Sequence, residues 1–137
     1  MSKPISHHEA LIYVMVIISA ADRSMTDSEL QRMGELVQTL PVFRDFEMDK
    51  MIRVAGDCGE ILQGENGLND VMEIIAAALP EKLYDTAYAL AVDIAAADLH
   101  VEQEELRLLQ ILRDTLDLDK LTIAAIERGA MARHRRL

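Results

Sequence analysis

An all-α fold of about seven helices follows from three features of this 137-residue chain. Half of the residues are hydrophobic, yet only three Tyr and two Phe are aromatic and there is no Trp. The apolar content is therefore Ala, Leu, Ile and Met, which suits packed helices better than sheets. Apolar residues recur at three- and four-residue spacing along most of the chain, helix-opening signatures punctuate it, and no stretch reads as a strand. The length fits one domain with a proper core.

"SHHE", Ser6 to Glu9, is a capping box that opens a first helix to about Ala21, apolar nearly all round and so central. "TDSE", Thr26 to Glu29, is a second box. Its helix carries the stripe Leu30, Met33, Leu36, Val37 and Leu40 and stops at Pro41. A third helix is expected from about Arg44 to Gln63, weakened by Gly56 and Gly59 and ended by "GENG". Asn69 is expected to cap a short fourth helix through Leu79, with Pro80 as punctuation. "EKLYDTAYALAVDIAAA" is the fifth, alanine-rich and largely buried. A sixth after Asp98 carries Leu106, Leu109, Leu112 and Leu116. Asp117 or Asp119 caps a seventh with Leu121, Ile123, Ala124 and Ile126.

The formal net charge is -10, but Arg128 to Leu137 holds four Arg and no acid, leaving 24 acids against 10 bases in the rest. Such a body repels phosphate backbones and attracts cations or basic protein surfaces, so a protein partner is expected and nucleic acid is not. A helix ending in Arg suits its own dipole, and the basic tail 128–137 is read that way. A single cysteine, Cys58, allows no intrachain disulfide and fits a reducing, cytoplasmic setting as a small buried hydrophobe. The longest apolar run, "ALIYVMVIISAA", is too short for a bilayer, and the N-terminal residues lack signal-peptide features. An integral membrane protein is not expected.

Two stretches resemble each other. At a constant offset of 76, positions 19–37 and 95–113 share six identities, among them Asp22/Asp98, Glu29/Glu105, Leu30/Leu106 and Leu36/Leu112. A helix–corner–helix unit used twice, in halves of about 8–63 and 69–127, predicts a pseudo-twofold bundle with the two buried helices in the middle. "SAADRSMTDSEL" and "AAADLHVEQEEL", each after an apolar helix and before a leucine-striped one, resemble the TerB-like (tellurite resistance protein B) family over roughly residues 8 to 127. That family's corner reads Ala-Asp-Gly, a hydrophobic residue, then Glu in the next helix's first turn. Here Arg23 and Leu99 stand in place of the Gly, so a close backbone approach to a ligand loses its support. The resemblance implies an all-helical stress-response domain without established enzymatic activity. It also implies an acidic cluster that takes a divalent metal, whose residues here would be Asp22, Glu29, Asp98 and Glu105.

Residue chemistry alone leaves two readings of those acids open. Glu29 sits at the third helical position after Thr26, where capping accounts for it; Glu105 follows Glu102, a poor cap. Acids in a first turn also gain from the helix dipole. Alternatively the carboxylates supply oxygens to a hard cation. The EF-hand calcium loop is excluded, because the twelfth residue from Asp22 is Met33 and from Asp98 is Leu109. One Cys and four scattered His match no zinc spacing. Any metal site must therefore be assembled from both corners.

His7 and His8 are adjacent and point apart on a helix. His100 lies in the second corner, where an exposed loop histidine is the plain description. Asp93, amid "LAVDIAAA", requires a partner and is a candidate general base or ligand. No nucleophile elbow, phosphate loop or dinucleotide fingerprint is present, and no organic cofactor is expected. The expected function is a non-catalytic module that binds a divalent cation or docks a partner through an acidic face. A metal-dependent enzyme using the corners or Asp93, and an adaptor whose acids only cap helices, are the alternatives.

Overall fold

The computed structural model describes residues 4–20, 25–97 and 103–137. Among the described residues seven α-helices run in order: α1 His7–Ser19, α2 Asp27–Thr39, α3 Met51–Leu62, α4 Gly67–Ala78, α5 Tyr84–Ala97, α6 Gln103–Leu116 and α7 Lys120–Arg133. No strand occurs among the described residues, so the chain is all-α.

Both predicted capping boxes form. The Ser6 amide donates to Glu9 Oε1 at 2.9 Å and the Glu9 amide to Ser6 Oγ at 3.1 Å. The same reciprocal pair joins Thr26 and Glu29. α1 is buried from Ala10 to Ser19 on every side and packs against α3, α4, α5, α6 and α2. α5 is the second inner helix: its alanines leave room for close approach, and it packs against α1, α6 and α7. The core gathers around these two, with Met33 and Val37 entering from α2, Val54 and Cys58 from α3, Val71 and Ile75 from α4, and Leu112 and Leu116 from α6.

Three expectations about element ends and stripes need correction. The third helix begins at Met51 rather than near Arg44, because two 3-10 turns, Pro41–Phe43 and Met48–Lys50, intervene. Phe43 is buried and Phe46 packs against the core, and these two anchors hold the polar run between them in a turn rather than a helix. α4 opens at Gly67, with Asn66 rather than Asn69 at the cap position. A Cβ on Gly67 would run into the Leu62 carbonyl, so any side chain there must displace the end of α3. In α6 the core-facing stripe is Glu105, Leu108, Leu109, Leu112 and Leu116, and Leu106 is 52% exposed.

α6 ends where Asp117 takes φ 51°, a left-handed conformation that a short polar side chain tolerates. Asp119 then caps α7, its Oδ1 accepting from the Thr122 amide at 3.2 Å. No helix among the described residues is long and apolar enough to cross a membrane.

Candidate functional site

The two acidic corners follow the inner helices. Asp22 and Asp98 lie outside the described residues; Glu29 and Glu105 lie within them. Glu29 is half-buried, and its Oε1 accepts from the Thr26 amide at 2.9 Å and the Thr26 hydroxyl at 3.0 Å. One oxygen of that carboxylate is thereby committed to its own helix. Glu105 differs. It is 6% exposed, at the head of the core-facing stripe of α6, while its neighbours Glu104 and Leu106 face solvent. The offset of 76 carries Glu29 onto Glu105, Met33 onto Leu109 and Leu36 onto Leu112, so each acid heads its helix's core-facing row. A carboxylate in that position loses hydration that an apolar residue would not miss.

Close to the first corner, Ser19 ends α1 with its hydroxyl buried and without a hydrogen-bond partner among the described residues. Among those same residues, no group of three or more His, Cys, Asp or Glu is placed to hold a metal ion.

Asp93 has the partner its surroundings require. Its Oδ1 accepts from Arg133 Nη2 at 2.6 Å, and His134 Nε2 stands 3.6 Å away. The basic end of α7 is thus folded back on α5, and the acid that looked like a candidate base is one side of an ion pair.

A second polar cluster ties three helices together and was not singled out from the sequence. Tyr88 from α5 donates its hydroxyl proton to Glu127 Oε2 of α7 at 2.5 Å and accepts from Arg113 Nη1 of α6 at 2.8 Å. Arg113 also reaches Glu127 at 3.2 Å, and its guanidinium lies 5.8 Å from the Tyr88 ring centre. Burial first, and then the Glu127 acceptor, push the Tyr88 phenol up to about 12. One signal was present in the sequence: a tyrosine inside an alanine-rich buried helix needs a hydroxyl partner.

The remaining candidates are structural. His8 Nε2 bonds the Val42 carbonyl oxygen at 2.8 Å, and its ring stacks on Phe43 and leans on Phe46. Cys58 is fully buried, and burial pushes its thiol up to about 12, far from nucleophilic range.

Two of the surface concavities are lined by acidic residues. One, of about 470 Å³, is rimmed by Glu81, Asp85, Asp117 and Asp119; Asp119 serves as a cap and Asp85 accepts from the Thr86 amide at 2.8 Å. The other, of about 660 Å³, runs along one face of α4. Ile74 and Ala77 line it with Ile61 and Ile5, and Asp70 and Glu73 give it an acidic margin.

Set beside known proteins, residues 8–128 match the family model described as tellurite resistance protein TerB. No curated protein and no solved structure matches the chain.

Proposed function

The chain belongs to the tellurite resistance protein TerB family, and on that premise we propose that it is a non-catalytic stress-response module that binds a divalent cation through its two acidic corners. Asp22 and Glu29 supply oxygens from the first corner, Asp98 and Glu105 from the second, and the same acidic face docks a protein partner. The observation that carries this reading is Glu105, an acid 6% exposed where the helix pattern calls for an apolar residue. Glu29, whose carboxylate bonds back to Thr26, is the less buried of the two. The Ser19 hydroxyl, three places before Asp22 and without a partner among the described residues, adds a polar atom that ordered water in an ion's shell would satisfy. Hard cations favour such oxygen-rich surroundings, and calcium and magnesium are the preferred candidates over zinc.

A catalytic role for Asp93 finds less support, because Arg133 holds its carboxylate in an ion pair. Calorimetric titration of the purified protein with calcium, magnesium, manganese and zinc tests the cation. Binding heat with at least one ion, lost in the Asp22→Asn, Asp98→Asn double variant, is the expected result. Absence of heat and of thermal stabilisation with all four would remove the cation from the proposal. For the partner, the same double variant should capture less of it in a pull-down; unchanged capture would reduce the corner acids to helix caps.

A further inference from the structure

The outer face of α7 and the groove along α4 are complementary in both polarity and charge. α7 turns one side to α5, where Ala130 is buried. On its other side Leu121, Ala124, Ala125, Arg128, Met131 and Ala132 are all exposed. Successive residues advance by about 100°, so these six fall on one continuous face of the helix. Leu121 is 79% and Met131 57% exposed, and the face holds a cation but no acid, on a molecule whose net charge is -10. Arg135 and Arg136 continue the positive charge past the end of the helix.

The groove is the reverse. Its lining positions on α4 recur at three- and four-residue spacing from Asp70 to Ala78, about two turns of helix. Its floor is apolar, and among the described residues its charged lining is Asp70 and Glu73. Neither Glu29 nor Glu105 is among the described residues that line it.

We propose that the exposed face of α7 in one copy docks into the α4 groove of a second copy. Met131 and Ala132 lie on the apolar floor and Arg128 pairs with the Asp70–Glu73 margin. This is the helix-in-groove mode of recognition, with anchors one turn apart. Both halves of the contact are present on one chain, which commits the occupant to another copy of that chain. The patches differ, so the contact is heterologous, and association continues past two copies unless the geometry closes on itself. Equal net charges oppose the approach of two copies at long range. Near physiological salt the screening length is about 8 Å, which removes most of that repulsion and leaves the contacting pairs.

Sedimentation of the full chain over a concentration series reads the mass directly. Mass that rises with concentration in the wild type, and stays at one copy in Arg128→Glu and in Asp70→Lys, Glu73→Lys, is expected. An equimolar mixture of those two variants should associate again, because the unaltered α7 face of the groove variant meets the unaltered groove of Arg128→Glu, and the acidic α7 face meets the basic groove. The positions are exposed, and circular dichroism checks that each variant keeps its helices. A wild type that stays at one copy at every concentration would overturn the proposal, as would association unaffected by either variant. Phosphatidylglycerol vesicles that carry down a one-copy wild type through Arg128 and Met131 would also overturn it, by assigning the face to a lipid surface.

Discussion

Removing the Tyr88 hydroxyl tests how the outer helices are fastened to the inner one. In Tyr88→Phe the ring stays in its buried site and keeps its contact with the Arg113 guanidinium, while the bonds of 2.5 Å to Glu127 and 2.8 Å from Arg113 are lost. A hydrogen bond to a charged group contributes about 1.5–3 kcal/mol net, so the loss of two sets an upper bound of about 3–6 kcal/mol. Two facts lower it here: Glu127 and Arg113 keep each other at 3.2 Å, and their side chains are 42% and 27% exposed, so water replaces part of the loss. The expected destabilisation is about 1–2 kcal/mol. For a domain of this size that lowers Tm by roughly 3–8 °C. Urea unfolding gives the free energy, and a cycle with Glu127→Gln should return a coupling of about 0.5–1.5 kcal/mol. If Tyr88→Phe unfolds within a few tenths of a kcal/mol of the wild type, the cluster is no fastening and the inference from its short bonds fails.

Three further outcomes follow from the same physics. Thr26→Ala removes the acceptor for the Glu29 amide and should cost about 1 kcal/mol in thermal or urea unfolding. Gly67→Ala places a methyl against the Leu62 carbonyl; chemical unfolding should show a loss of roughly 1–3 kcal/mol, as overpacking produces. Alkaline pH should destabilise the fold. Burial raises Tyr13, Tyr88 and Cys58 each to about 12, so the unfolded chain, titrating from about 9 to 10, releases these protons first. Their contribution is whole below about pH 9 and declines as pH rises through 12, by about 1 kcal/mol per buried phenol per pH unit above 10. Urea midpoints at pH 8 and pH 11 measure it.

Local chemistry made much of the fold legible. Capping boxes are written within four residues, and both formed where "SHHE" and "TDSE" placed them. The inner helices were readable because α1 and α5 have no polar face wide enough to meet water. Segments whose conformation depends on distant packing were not readable. Arg44 to Lys50 has helical propensity of its own, yet Phe43 packs against His8, 35 places earlier, and the chain turns there instead. Gly67 reads as a helix breaker from composition and becomes a helix start because α3 ends against it.

The site was half legible. The doubled Asp and Glu were visible as a repeat, but spacing treats Glu105 and Leu106 alike as heads of a stripe, and only packing makes the acid the buried one. Asp93 announced its need for a partner; that the partner is Arg133, 40 places on, is a property of how α7 lies on α5.

The claim at the centre of this account is that one cation engages both corners. Manganese added to isotope-labelled protein broadens the amide signals nearest the ion. Signals at residues 22 to 29 and 98 to 105 should fade together at the same low dose, and calcium or magnesium should restore them. Fading confined to one corner, or gathered instead around Asp117 and Asp119, would contradict it.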